Sequence, residues 1–318
     1  MQGYPNLINI IEDELRKHPF SGVPNNLYEP LNYIIGLGGK RIRPVLALLG
    51  CQLFSGHCDK AIPSALAVEV FHNFSLIHDD IMDKSPIRRG KPTVHEKWDT
   101  PTAILSGDLM LVKAYELLLK SDNLYWPLLL QVFNRTAAQV CEGQQMDMNF
   151  ETQEEVTKDD YLEMIRLKTS VLLGCSLQMG AIVGGASEHD FNQIYAFGTN
   201  MGLGFQLMDD YLDVFGTSEL VGKQRGGDIL SGKKTILAIH ALAYNDQYAI
   251  LQKSDLSDEE RVEVAKSIFI ESQADVYLKD LASEYFKLAS KNLDDIDIEE
   301  PKKEGLRQLF GFVKDRAF

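Results

Sequence analysis

Apolar residues recur at helical spacing through most of the chain. Segments of this kind cover roughly 44–54, 61–82, 101–120, 125–147, 159–186, 189–215 and 233–252, and a 3.6-residue apolar period is the signature of helices burying one face. No Asn-Gly or Asp-Gly dipeptide is present to turn a tight hairpin. Helix starts are legible between the segments. Thr157 is followed three residues on by Asp160, and Ser257 by Glu260, the N-cap pattern in which a hydroxyl and an acid satisfy each other's backbone N–H groups. Pro301 suits a first helical turn. The pattern predicts an all-α protein, with many helices around one core in a single domain spanning residues 1–318. Breaks at 36–39, 84–93, 151–156, 218–232 and 292–300 have the composition of loops rather than linkers.

A net charge of −14 on 318 residues argues against a general nucleic-acid binder, which needs a basic face. Anionic substrates remain open, because they need only local basic pockets or bridging cations. Cys51, Cys58, Cys141 and Cys175 form no Cys-x-x-Cys pair and read as reduced, buried thiols. The uncharged run 170–187 is interrupted by Gly174, Ser176, Gln178, Gly180, Gly184 and Gly185. It reads as a close-packed core helix rather than a membrane span. The N-terminus has no apolar signal core, so the expectation is a soluble, cytoplasmic protein.

Two acidic clusters carry the chemistry: Asp79-Asp80-Ile81-Met82-Asp83 and Asp209-Asp210-Tyr211-Leu212-Asp213. In a helix Asp79 and Asp83 share a face, about 6 Å apart along the axis, as do Asp209 and Asp213. Like charges so placed repel unless a cation lies between them. One such cluster alone could equally be a solvated acidic face. Here each follows a strongly apolar stretch, 65–77 and 197–208, which points it toward a cavity. Hard oxygen ligands of this type suit Mg²⁺ shared with substrate phosphates. By contrast, Asp294-Asp295-Ile296-Asp297 lies in a polar break with different spacing and reads as surface.

Basic residues flank the acidic ones. Gly38-Gly39-Lys40-Arg41-Ile42-Arg43-Pro44 turns the chain into a helix, where free N–H groups with Lys40 and Arg43 make an anion site. Arg88-Arg89-Gly90-Lys91 follows the first cluster, and guanidinium groups bind phosphate oxygens in pairs. His72 lies two helical turns before Asp79, and Gln206 shares the face of Asp209. Lys168 and Thr169 stand within apolar sequence, where a lysine needs a partner. Lys223 and Lys233 flank a glycine-rich loop, 222–232, able to close over bound phosphates.

Taken in order, the motifs GGKRIRP, HNFSLIHDDIMD, RRGKPTVH, SGD, Lys-Thr, GFQLMDDYLD and GKKT resemble the trans-type isoprenyl (polyprenyl) diphosphate synthase family. The resemblance implies long antiparallel helices around a deep central cavity, and a homodimer. It implies that Lys40, Arg43, His72 and Arg89 bind isopentenyl diphosphate. Arg88, Lys168, Lys223 and Lys233 would bind the allylic diphosphate, with Thr169 and Gln206 near the reacting carbon. Asp79, Asp83 and Asp209 would be Mg²⁺ ligands, with Asp80, Asp210 and Asp213 beside them or behind them. Three Mg²⁺ ions would bridge both clusters and the allylic diphosphate. The implied reaction is a 1′-4 head-to-tail condensation with dimethylallyl, geranyl or farnesyl diphosphate.

In the family, residues just before the first acidic motif set product length. Phe74 and Ser75 occupy those positions, and a bulky residue at 74 resembles short-chain synthases, C15 to C20. The absence of a two-residue insertion in the first motif favours C20. The rivals are a terpene cyclase, which typically has a different second acidic motif, and a non-catalytic synthase subunit, which tends to lose one motif.

Overall fold

A computed structural model describes residues 4–216, 226–252 and 254–315. The first helices are α1 (Tyr4–Lys17), α2 (Asn25–Gly36), α3 (Ile42–Ser55) and α4 (Ile62–Met82). A hairpin of β1 (Ile87–Arg88) and β2 (Lys91–Pro92) follows, then α5 (Val94–Lys97), α6 (Thr100–Leu118) and α7 (Trp126–Thr152). Next come α8 (Lys158–Ile165), a π-helical turn at Arg166–Ser170, α9 (Val171–Val183) and α10 (Glu188–Phe215). The remaining helices are α11 (Gly227–Leu230), α12 (Ile236–Tyr244), α13 (Gln247–Leu251), α14 (Asp258–Glu271), α15 (Ala274–Asp294) and α16 (Glu300–Asp315). The all-α expectation holds, with the hairpin as its one exception among the described residues.

The caps form as the sequence directs. Thr157 and Asp160 exchange hydrogen bonds across the start of α8, and Ser257 and Glu260 do so at α14. Pro301 stands in the first turn of α16. Asp294, Asp295 and Asp297 are exposed, as their polar surroundings suggest.

Three local features differ from the sequence expectation. The stretch 84–93 is not only loop: Ile87 pairs with Pro92 and Arg88 with Lys91. Arg89 and Gly90 turn this hairpin with φ of 53° and 74°, the positive-φ pair of a type I′ turn. Arginine is not the short polar residue that usually signals such a turn, so a dipeptide search passes over it. The segment 233–252 breaks into α12 and α13 at Asn245 and Asp246. Cys141 is exposed, unlike buried Cys51, Cys58 and Cys175, because it lies on the outer side of its amphipathic helix.

The fold resolves into two compact units. The first comprises Met1–Asn134, Cys175–Ile194 and Ile296–Arg307. In it α4 packs along α6 and α3, burying Leu46, Leu48, Phe71 and Ile77. The glycines of the uncharged run have a steric purpose here. A Cβ on Gly180 would lie 1.9 Å from the Ala47 carbonyl oxygen, and one on Gly50 2.4 Å from that of Leu177. Backbones of α3 and α9 therefore touch directly, which only glycine permits. The second unit comprises Arg135–Gly174, Tyr195–Asp295 and Gln308–Phe318. There α15 packs against α12 and α14 over Phe197, Phe269 and Phe286. Among the described residues no helix is long and apolar enough to cross a membrane.

Candidate active site

Each acidic cluster divides its three carboxylates between two tasks. At the end of α4, Asp79 is half-buried and Asp83 exposed, while Asp80 is buried. Asp80 accepts Arg88 Nε at 2.9 and 2.8 Å and lies 2.7 Å from Nη2. Burial pushes the Asp80 carboxyl up, against the pull of Arg88. Burial would likewise depress the Arg88 guanidinium, but Asp80, Asp79 and Asp83 hold it above its ordinary value. Asp80 thus orients Arg88, whose Nη2 lies 3.7 Å from Asp79.

The second unit repeats the division with a different partner. At the end of α10, Asp209 is exposed and Asp213 half-buried, while Asp210 is buried. The Tyr161 hydroxyl and Gln206 Nε2 both donate to Asp210. Burial, reinforced by the Asp228 carboxylate, pushes Asp210 well above the usual carboxylate range. Asp213 accepts from the Asp228 N–H at 3.1 Å. In each motif the accessible acids are therefore the two that stand one helical turn apart, at its first and last positions. Among the described residues no three His, Cys, Asp or Glu side chains converge as a ready-made metal cage. Paired carboxylates that are not buried fit Mg²⁺, which takes one or two protein oxygens and fills its octahedron with water and phosphate.

A cationic cluster lies in the first unit. Arg43 Nη1 sits 3.2 Å from His72 Nε2, and Arg43 Nε is buried with no hydrogen-bond acceptor. Burial, only partly offset by Glu69, lowers the Arg43 guanidinium to about 10. Desolvation and then Arg43, Arg89, Arg88 and Arg41 depress His72 well below its ordinary value. The imidazole is consequently neutral, and Nε2 can accept from Arg43. Arg89 donates to the Gly38 carbonyl, and its guanidinium lies 3.0 Å from where a Cβ on Gly39 would stand. Lys40 is exposed. A half-satisfied guanidinium beside further cations is what an anion completes.

The His72 environment makes stability pH-dependent. An unfolded histidine takes up a proton near pH 6.5, whereas the folded one does so only well below. In that window the unfolded state binds more protons, so stability is fully present above about pH 6.5 and is lost as pH falls. Denaturation midpoints are expected to drop between about pH 7 and 5, and His72→Gln to flatten that slope. An unchanged slope in the variant would refute the neutral-imidazole reading.

In the second unit Lys168 Nζ binds Asp147 Oδ2 at 2.6 Å. Lys168 and Thr169 lie in the π-helical turn, and π-turns carry an extra residue in the helix. A Cβ on Gly143 would sit 2.3 Å from the Lys168 nitrogen, so α7 meets this turn backbone to backbone. Lys233 is exposed, 3.7 Å from Asp228. Lys223 lies outside the described residues. Sequence reasoning passed over Asp147, Tyr161 and Glu69. Asp147 follows Gly143-Gln144-Gln145-Met146, a polar run inside an apolar-periodic helix, which was a usable signal. Tyr161 carried none.

Phe74 is buried. Its ring lies 5.4 Å from Phe71 and 4.9 Å from His78, and Phe71 meets Phe133 at 5.2 Å. Ser75 Oγ donates to the His72 carbonyl at 2.8 Å.

Comparison with known proteins gives the family. The sequence model of the polyprenyl synthetase family matches residues 24–271. Geranylgeranyl diphosphate synthase of Methanosarcina mazei is 39% identical over 297 residues, covering 93% of this chain and 91% of that protein. Geranylfarnesyl diphosphate synthase of Natronomonas pharaonis is 31% identical over 313 residues, covering 93% and 91%. A crystal structure of a geranylgeranyl pyrophosphate synthase superposes with a TM-score of 0.93 at 43% identity, covering 100% of this chain and 99% of that one. With a family model matched over residues 24–271 and relatives aligned along nearly its full length, this chain belongs to the polyprenyl synthetase family.

Proposed function

We propose that the protein is a short-chain trans-prenyltransferase that makes a C20 product, geranylgeranyl diphosphate, from isopentenyl diphosphate and an allylic diphosphate. The observation that carries this reading is the buried, unsatisfied Nε of Arg43 beside neutral His72 and Arg89. A cyclase acting on one diphosphate has no need of a second cationic cluster. Intact outer acids in both motifs speak against a non-catalytic subunit. The names of the M. mazei relative and of the matched crystal structure support C20.

In this reading the two compact units serve one catalytic domain. The outer acids Asp79, Asp83, Asp209 and Asp213 would hold three Mg²⁺ ions on the allylic diphosphate. When bound, Mg²⁺ neutralises the leaving diphosphate and so favours its departure. Arg88, oriented by Asp80, and Lys168, oriented by Asp147, bind the same group with Lys223 and Lys233. The allylic C1–O bond breaks, and the electron pair leaves with the diphosphate. Gln206 spends its N–H on Asp210, which leaves the amide oxygen as an acceptor of the right polarity for the allylic cation, with Thr169. The double bond of isopentenyl diphosphate, held by Lys40, Arg43, His72 and Arg89, attacks C1. A new C–C bond forms, and a proton passes to the released diphosphate.

The reading places the enzyme in the cytoplasm as a homodimer. Leu105, Val112 and Leu119 are exposed at seven-residue intervals along α6 and its end, the kind of apolar stripe that a second copy covers.

Incubation with isopentenyl diphosphate, Mg²⁺ and dimethylallyl, geranyl or farnesyl diphosphate tests the function. Diphosphate release with a C20 prenyl product is expected. No turnover with any primer would overturn it, and a cyclic hydrocarbon from the allylic substrate alone would favour the cyclase. Chain length has its own test. Phe74 is a large ring fixed between Phe71 and His78, so Phe74→Ala opens a cavity the size of a phenyl group. Products at least one C5 unit longer are expected by mass spectrometry. An unchanged distribution would remove Phe74 from that role.

A further inference from the structure

Arg41 belongs to the basic run of the cationic cluster, yet it does not serve as its neighbours do. Lys40 is exposed and Arg43 keeps a buried, unsatisfied Nε, whereas Arg41 is itself buried. Protein groups take its guanidinium on every side. Nε donates to Glu12 of α1 at 2.7 Å, Nη1 to Glu69 of α4 at 2.5 Å, and Nη2 to the Ile35 carbonyl near the end of α2 at 2.8 Å. Three helices thus meet on one side chain that opens a fourth, α3. Glu69 is fixed in turn by Asn73 Nδ2 at 3.0 Å.

The backbone at Arg41 explains what these bonds accomplish. Its φ and ψ are 48° and 32°, a left-handed conformation that is unfavourable for a residue with a Cβ. Gly38 and Gly39 also have positive φ, 74° and 146°. The turn that displays Lys40 and leads to Arg43 is therefore unfavourable by itself and must be held. Besides the three guanidinium bonds, the Tyr4 hydroxyl of α1 donates to the Lys40 carbonyl at 2.9 Å. Buried ion pairs add little net stability compared with apolar packing of the same shape. A buried Arg with two carboxylates is better accounted for by the conformation it imposes. Glu69 also supplies counter-charge to Arg43 and Arg89, so one carboxylate both grips the turn and balances the cations of the pocket.

We propose that Arg41 is the positioning residue of the isopentenyl diphosphate pocket, and that α1, through Glu12 and Tyr4, sets the affinity for this second substrate. The inference rests on the proposed function for the identity of the ligand. It predicts a specific kinetic signature, because the grip acts on the turn and not on the groups that hold the allylic diphosphate.

Glu12 is part-exposed, so Glu12→Ala leaves the folded core intact. It is expected to raise KM for isopentenyl diphosphate about tenfold, a loss of about 1.4 kcal/mol, with KM for farnesyl diphosphate unchanged. Glu12→Gln keeps an amide oxygen for Arg41 Nε and should restore most of the affinity. Arg41→Lys, which cannot make three divergent bonds, should act like Glu12→Ala. Hydrogen exchange gives a readout independent of turnover: amides of residues 39–43 should exchange faster in Glu12→Ala, and those of α4 should not. Equal rises in both KM values, or unchanged exchange at 39–43, would overturn the proposal. If the unaltered protein shows no turnover, the proposed function fails, and the exchange measurement still decides whether α1 holds the turn.

Discussion

Replacing Asp79 or Asp209 by alanine is expected to reduce turnover at least about a thousandfold, a loss of roughly 4 kcal/mol of transition-state stabilisation, while the folded state survives. The reason lies in the division of labour within each motif. Asp79 is half-buried and Asp209 exposed, and neither is the buried anchor of its cluster. Removing one also relieves repulsion with the acid a turn later. The middle acids should behave in the opposite sense. Asp80→Ala strips Arg88 of its bidentate partner, leaving a part-buried charge, so stability should fall along with activity. Steady-state kinetics with thermal melts on the same samples separate the two classes. Near-normal turnover in Asp79→Ala or Asp209→Ala would contradict the metal role. A melting temperature unchanged in Asp80→Ala would contradict the anchoring role.

Gly180→Ala is expected to be the most damaging glycine-to-alanine change among the described residues. The added Cβ would lie 1.9 Å from the Ala47 carbonyl oxygen, and neither partner is a side chain that can swing away. Separating α3 from α9 loosens the packing on both sides, and overpacking of this kind costs about 3 kcal/mol. A fall in melting temperature of roughly 6–12 °C follows. Gly36→Ala is the matched control, because nothing lies within 4 Å of the point its added methyl would occupy. A drop smaller than about 2 °C for Gly180→Ala would mean the two backbones are farther apart than described.

The sequence conveyed the helices best where a long apolar stripe coincided with an explicit start. Thr157 and Ser257 capped the predicted helices because their bonds are local, made to the residue three positions on. The hairpin at 87–92 was illegible for the complementary reason. Arg89 adopts positive φ while its guanidinium reaches Gly38, a contact made between distant parts of the chain. The site followed the same rule. Residues of unusual chemistry for their surroundings, such as Lys168 in apolar sequence or paired acids at a helix end, announced themselves. Their partners did not. Glu12 and Glu69 look like ordinary charges on amphipathic helices, and only folding brings them to Arg41. Tyr161 likewise gains meaning only from Asp210, 49 residues away.

The π-helical turn at Arg166–Ser170 bears on how such a chain can change over time. It stores one surplus residue inside a continuous helix instead of looping it out, so everything beyond it is rotated by about 100° relative to an uninterrupted α-helix. Deleting any single residue from the turn would leave a regular helix, yet would swing Lys168 away from Asp147. Substitutions are tolerated or rejected there one side chain at a time. Length is different: a one-residue deletion must disrupt the Lys168–Asp147 pair, which makes helix length across 158–170 an inherited quantity rather than a free one.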